Sequence, residues 1–241
     1  MKKVLITGAN RSIGFETARQ LLQKGYFVYL GARDLAKGKE AIAKLKAEGF
    51  TNIEPIEIDV ANTSSIETAS KQVDSLDVLI NNAGILGNIP QTAIDTPIDT
   101  IREVFDTNFF GVINVTQAFI GLLKKSDEPR IVNVTSGLGS LTLHSDPNSK
   151  FYHIKSAAYG PSKTALNAYT IVLAYELKDT AFKVNVVDPG YTATDFNHHS
   201  GPGSVEDAAA IIVKYATVGT DGPNGKYFSN DFGGEGDECP W

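Results

Sequence analysis

The feature that most limits how this chain can fold is a regular alternation of short apolar runs with stretches of helical period. Val4-Leu5-Ile6 is aliphatic and stops at Thr7-Gly8. Residues 13–24 then place Ile13, Ala18, Leu21 and Leu22 at helical spacing, closed by Gly25. The pair of signals returns along the chain. Strand 26–30 precedes a helix over 35–48 ended by Gly49, and strand 53–59 precedes a helix over 64–76. Strand 77–82 leads into one long helix within 98–125, with a break near Gly111. Strand 130–136 is followed by a helix over 162–179, and 183–187 is the sixth strand. Ser204-Val-Glu-Asp207 reads as a capping box with Asp in the usual Glu place, opening a helix to about Thr217. Residues 226–229 form a last short strand.

Strands separated by helices at this pitch join as right-handed βαβ units. The expectation is therefore α/β: a single-domain, doubly wound (Rossmann) fold over 1–241, with a mostly parallel sheet covered by helices on both faces. Ligands of such sheets bind beyond the carboxyl ends of the strands. Gly8, Arg33, Asp59, Asn82, Ser136 and Pro189 each follow a strand.

Composition narrows the partners. A net charge of −6 without a basic run argues against nucleic acid. No stretch approaches the ~18 to 20 apolar residues of a membrane span, and the apolar run before Thr7 is too short for a signal peptide. One cysteine, Cys239, permits no internal disulfide and points to a reducing, cytoplasmic setting. His198 and His199 lie in a loop without metal-ligand spacing or an acid partner, so no metal site is expected.

The strand exits carry the chemistry. Thr7-Gly8-Ala-Asn10-Arg11-Ser12-Ile13-Gly14 joins the first strand to the first helix, whose free N–H groups suit a phosphate. Ser12 stands where a third glycine is expected. After the second strand, Gly31-Ala32-Arg33-Asp34 offers an arginine where an NAD site places an acid. Arg33, with Arg11 in reach of the same group, favours a 2′-phosphate and hence NADPH. Asp34 on a ribose would favour NAD instead. Asp59 can accept from an adenine amino group with Val60 beside the ring, or simply cap a helix. Asn82, Ala83 and Gly84 let a ribose lie against the backbone.

Tyr159 and Lys163 lie four residues apart, on one helical face. A cation beside a phenol favours the phenolate, so the pair is expected to make a proton donor, with the Ser136 hydroxyl near the oxygen that receives the proton.

Taken together, these motifs resemble the short-chain dehydrogenase/reductase family. TGxxxGxG appears as Thr7 to Gly14 with Ser12 replacing the middle glycine, and NNAG as residues 81–84. The active-site asparagine matches Asn108, the catalytic serine Ser136, YxxxK Tyr159 to Lys163, and PGxxxT Pro189 to Thr194. Within the family the chain is most similar to the carbonyl-reductase branch. The pointers are the basic residue at 11, Gly31-Ala-Arg-Asp34, Lys44 to Gly49, and a tail of Gly225-Lys-Tyr-Phe ending in Pro240-Trp241.

The resemblance implies NADPH-dependent reduction of a ketone, aldehyde or quinone. Tyr159 would donate the proton, Lys163 would lower its pKa and bind the nicotinamide ribose, and Ser136 would hold the carbonyl oxygen. Asn108 would hold a water linking Lys163 to solvent. Pro189, Gly190, Thr192 and Thr194 would contact the nicotinamide and phosphate. Residues 192–204 would form a lid over the substrate. Leu138, Tyr191 and Phe196 are taken as substrate contacts from position, with Trp241 added on the same ground. An extra segment at about 142–154 is shorter than the helical insertion that accompanies a monomeric state in the branch, so monomer and homo-oligomer both stay open. The competing readings are an NAD-dependent alcohol dehydrogenase of the same family and a regulator that binds the dinucleotide without turnover.

Overall fold

The computed structural model describes residues 1–233 and 236–241. Among these residues eight strands form one sheet: β1 (Lys3–Ile6), β2 (Phe27–Ala32), β3 (Ile53–Glu57), β4 (Val78–Asn81), β5 (Arg130–Val134), β6 (Lys183–Asp188), β7 (Tyr227–Ser229) and β8 (Asp237–Glu238). Their order is β3-β2-β1-β4-β5-β6-β7-β8, parallel except for the antiparallel β8 at the edge. The order reverses direction between β1 and β4, which opens a crevice at their carboxyl ends.

Helices α1 (Ser12–Gln23), α2 (Leu35–Ala47) and α8 (Val205–Ala216) cover one face of the sheet. Helices α3 (Thr63–Ser70), α5 (Gly111–Leu123) and α7 (Tyr159–Glu176) cover the other. Successive side chains of a strand point to opposite faces. Val4 and Ile6 therefore join the core under α1 and α8, while Leu5 joins the core under α5. Val78, Ile80 and Leu79 repeat the split in β4. Each such fully buried aliphatic residue contributes about 1.5–3 kcal/mol of transfer free energy.

The fold class is the doubly wound α/β arrangement that the alternation implies. The differences are local. The long helix is divided: α4 (Ile98–Phe105) passes through a π-helical turn at Asp106–Phe110 before α5 begins. The break precedes Gly111, whose close approach explains its size; a Cβ there would lie 2.9 Å from the Val60 carbonyl oxygen. Helix α3 stops at Ser70 rather than running to Leu76. Asp74 Oδ1 accepts from Ser75 N at 2.7 Å and Tyr29 Oη at 2.8 Å, and local bonds of this kind compete with helix. Val73 and Leu76, which extend the periodic pattern, are buried from irregular chain instead. The short α6 (Leu141–Ser145) and β8 have no counterpart among the expected elements. No helix among the described residues is long and apolar enough to cross a membrane.

Candidate active site

Two adjoining cavities open at the carboxyl ends of the strands. The first, of about 550 Å³, is lined by Gly8, Asn10, Arg11, Ser12, Ile13, Gly14, Arg33, Asp59, Val60, Asn82, Ala83 and Gly84, among others. Every cofactor residue expected from the first four strand exits thus faces one cleft. The loop that forms it is braced from β4. Thr7 Oγ1 accepts from the N–H groups of Asn82 and Ala83, each at 3.0 Å. Asn82 Nδ2 donates to the Thr7 carbonyl at 2.8 Å and the Gly8 carbonyl at 3.1 Å. The side chain of Asn82 therefore holds the loop, and the wall near Ala83 is backbone.

The loop leaves no room for side chains at two of its glycines. Gly8 sits at φ +64, and a Cβ there would be 3.0 Å from Ala83 Cα. A Cβ at Gly14 would be 2.6 Å from the Gly8 carbonyl oxygen. Ser12 has φ +50, a left-handed conformation natural to glycine, which is the physical reason the motif has glycine there. Its hydroxyl donates to Asp195 Oδ2 at 3.3 Å, and Arg11 lies 3.6 Å from the same oxygen. Helix α1 has no side-chain cap and no acid in its first turn, so its N-terminus is left for an anion. These features fit the pyrophosphate of a dinucleotide. At the ribose end, Asp34 is used as the N-cap of α2, accepting from Ala36 N at 2.9 Å and Lys37 N at 3.2 Å. Asp59 Oδ1 accepts from Ala61 N at 3.1 Å in a local turn, while the residue still lines the cleft.

The second cavity, of about 910 Å³, shares Ile13, Asn82, Gly84, Thr194 and Phe196 with the first. Ser136, Tyr159 and Lys163 lie on its wall together with Leu138, Pro189, Gly190, Tyr191 and Thr192. Tyr159 starts α7, whose N-terminus lacks a cap from its own N-cap residue, Ala158. Gln91, from the chain after β4, supplies one: its Oε1 accepts from Ala158 N at 3.2 Å and Tyr159 N at 3.1 Å. Pro161 is tolerated in the first turn because its missing N–H would have no helical partner. Ser136 accepts from Leu138 N at 3.2 Å, and its hydroxyl faces the Tyr159 phenol and favours the phenolate. The Lys163 ammonium lies 5.8 Å from the Tyr159 ring centre and donates to the Val134 carbonyl at 2.8 Å.

The electrostatics correct the expectation that Lys163 makes the phenol acidic. Burial pushes the Tyr159 phenol well above its ordinary value, the charge of Asp188 adds to this, and the Ser136 hydroxyl opposes it. Burial likewise lowers Lys163 to about 8, against the pull of Asp188. Removal from water outweighs the attraction between cation and phenolate at this separation. The protein alone thus favours the neutral phenol, the form that can donate a proton.

Asn108 is fully buried within the π-helical turn and lines neither cavity. Its Oδ1 accepts from Ile85 N at 2.8 Å, and its Nδ2 donates to the Ile85 carbonyl at 2.9 Å and to Ser162 Oγ at 3.1 Å. It ties the chain after β4 to α7. Trp241 is not brought to the cavity but packs on Tyr227, 5.6 Å between ring centres. His199 does have an acid partner, contrary to the expectation for this loop: Nε2 lies 3.0 Å from Asp195 Oδ1. A helical turn at Asp195–Asn197 creates that contact, which the loop-like sequence does not announce. Among the described residues no cluster could hold a metal ion.

Sequence reasoning misses several lining residues. Phe151, Ile154 and Lys150 come from the extra segment, and a Cβ on Gly137 would be 2.3 Å from Phe151 Cζ. Leu86 and Ile89 add apolar wall from the other side. Gln91 carries no local signal, since its role depends on α7. Asp188 does carry one: it is an acid closing an otherwise buried strand, directly before Pro189-Gly190.

Comparison with known proteins agrees with this geometry. Residues 2–204 match the family model described as short chain dehydrogenase. A short-chain dehydrogenase of Penicillium roqueforti is 40% identical over 227 residues, 90% of this chain and 89% of that protein. The structure of salutaridine reductase from Papaver somniferum superposes with a TM-score of 0.83 at 29% identity, covering 94% of this chain and 99% of that one. An NADPH-bound carbonyl reductase from chicken fatty liver gives a TM-score of 0.84 at 25% identity, covering 100% and 99%.

Proposed function

Because the chain belongs to the short-chain dehydrogenase family, in which it is an oxidoreductase, we propose that it uses NADPH to reduce a ketone, aldehyde or quinone carbonyl to the alcohol, with Tyr159 as the proton donor. The observation that carries this reading is the convergence of Ser136, Tyr159 and Lys163 on a cavity continuous with the nucleotide cleft. Its similarity to salutaridine reductase and to the NADPH-bound carbonyl reductase supports the direction of the reaction.

Gly8, Ile13, Gly14 and Gly84 would hold the dinucleotide along the two cavities, with Thr192 and Thr194 at its nicotinamide end. When bound, NADPH supplies the hydride. Ser136 and Tyr159 present two hydroxyls to one substrate oxygen. Ser136 holds that oxygen, and Tyr159 gives it a proton as charge develops there. Lys163 sits behind the phenol, and Asn108 would keep a water beside Gly84 through which the donor is recharged. Phe196, 5.5 Å from the Tyr159 ring, covers the site from the loop that Thr192 and Gly203 close by pairing. Leu86, Leu138, Phe151 and Ile154 favour a bulky, uncharged substrate.

Arg33 and Arg11 line the nucleotide cleft, and Asp34, the acid that follows β2, is engaged in capping α2. That arrangement supports a 2′-phosphate and therefore NADPH over NADH. The test is a panel of aromatic aldehydes, cyclic ketones and quinones assayed with both cofactors. Consumption of NADPH with at least one of them is expected, and its absence across the panel refutes the reading. Arg33→Ala should reduce the preference for NADPH over NADH about tenfold or more, the effect of losing one charge-assisted pair worth roughly 1.5–3 kcal/mol. An unchanged ratio would move the phosphate contact away from Arg33.

A further inference from the structure

Behind the reactive wall of the larger cavity lies a carboxylate that the proposed reduction does not use. Asp188 ends β6, is 3% exposed, and lines the cavity with Ser136, Tyr159 and Lys163. Two donors hold it: Ser229 Oγ bonds its Oδ2 at 2.7 Å and Gly190 N bonds its Oδ1 at 3.0 Å, while the N–H of Gly137 faces the carboxylate and favours its charged form. Gly137 directly follows Ser136. From β7, the Tyr227 hydroxyl donates to the Ser136 carbonyl at 2.8 Å. The peptide unit after the reactive serine is thus held at its carbonyl from β7 and faced at its N–H by the acid that ends β6.

A buried carboxylate is costly unless its bonds or its charge are needed. Burial pushes Asp188 up to about 6; Asp231 adds to this, while Ser229, Gly190 and Gly137 oppose it. It is therefore ionised at neutral pH. Its charge works against burial at Lys163 and with burial at Tyr159. Both effects keep a proton on the catalytic pair.

We propose that Asp188 is a positioning residue of the reaction centre, acting on Ser136 through Gly137 and on the Tyr159–Lys163 pair through the negative charge it places behind them. This rests on the reductase reading. It explains how a phenol that burial has made a weak acid is kept as a donor, and why the strand end carries an acid where an apolar residue would pack without penalty. Among the described residues, the titratable groups facing Asp188 are Tyr159 and Lys163 on α7, Tyr227 on β7, Asp231 after β7, and Cys239 in the C-terminal segment. Asp231 is itself paired with Lys150 at 3.0 Å.

The test uses Asp188→Asn, which keeps the shape and removes the charge. Its first readout is thermal unfolding against pH, without cofactor or substrate. The folded-state pKa lies above the ordinary carboxylate value of 3.8, so the stability this group contributes is present at low pH and is lost as pH rises to about 6. The asparagine variant lacks that loss. Its Tm minus that of the parent should climb between those two pH values and then level. A difference that does not vary with pH overturns the buried charge. The second readout is the pH profile of NADPH-dependent reduction. Its alkaline limb, where Lys163, lowered by burial to about 8 against the pull of Asp188, gives up its proton, should move down by about one pH unit in the variant. A uniform loss of rate with an unmoved limb would make Asp188 merely structural and overturn the proposal.

Ser229→Ala offers a second route if the asparagine variant folds poorly. It keeps the carboxyl but removes one donor, so the midpoint of the stability change should rise; an unchanged midpoint overturns the bond network. A parent enzyme that reduces no carbonyl refutes the reductase reading and the catalytic half of this one, while the unfolding data still decide the charge.

Discussion

Tyr159→Phe is expected to lower kcat for carbonyl reduction by about 10²–10⁴-fold, the usual contribution of a positioned general acid, which is roughly 3–5 kcal/mol of barrier. Cofactor affinity should stay at the parent value, because the ring remains against Phe196 and Lys163 keeps its bond to the Val134 carbonyl. The fold should tolerate the change. Tyr159 is only 9% exposed, and Ser136, which faces its hydroxyl, keeps the bond it already accepts from Leu138 N. Only the phenol side of that contact is removed, and Ser136 lines the open cavity where water can take the phenol's place, so the stability cost should stay near the ~1 kcal/mol of one hydrogen bond. Three measurements check this together: single-turnover reduction, fluorescence titration with NADPH, and thermal unfolding. Turnover at the parent rate would remove Tyr159 from the chemistry. Loss of binding and stability along with the rate would mean that the phenol serves the fold and not the proton.

How much of this is legible in the amino-acid sequence depends on where each constraint arises. Local constraints are legible. Gly25 and Gly49 end helices at φ +81 and +98, and the residue type alone marks both stops. Ser204 caps α8, accepting from Asp207 N at 3.0 Å, as the spacing implies. The strand exits that line the nucleotide cleft can be read because each lies within a few residues of a clear apolar run.

Constraints that arise between distant segments are not legible. The π-helical turn around Asn108 is fixed by bonds to Ile85 and Ser162, from other parts of the chain. Gln91 becomes a cap only because α7, 68 residues further on, begins against it. Tyr159 and Lys163 mark the boundary between the two kinds of constraint. Spacing correctly puts the two groups on one helix face. It cannot supply the sign of the electrostatic effect, because that sign depends on how much water the sheet, the extra segment and the loop after β6 exclude. Asp188 is in plain view as a residue but not as a buried charge, since β7 and the turn after β5 do the burying.

The glycines provide the second large expected effect, and they separate two meanings of that residue. A Cβ at Gly14 would lie 2.5 Å from Asn82 Nδ2, 2.6 Å from the Gly8 carbonyl oxygen and 3.0 Å from Ala9 Cα. The last two are backbone and cannot rotate away. Asn82 cannot swing aside without giving up its bonds to Thr7 and Gly8, which brace the loop. Gly14→Ala must therefore push α1 from β4 or reshape the loop, at a cost of about 1–3 kcal/mol, the range for an overpacked site. The displaced N–H groups would no longer meet a pyrophosphate, so NADPH affinity should fall tenfold or more, beyond any fall in stability. Gly121, exposed in α5 with nothing within 4 Å of its would-be Cβ, is the contrasting case. Gly121→Ala should add about 0.5–1 kcal/mol of stability through helix propensity and leave NADPH binding alone. Equilibrium unfolding and NADPH titration on both variants check the pair. If Gly14→Ala binds NADPH like the parent, the close packing of α1 against the β4 exit is not what shapes the nucleotide cleft.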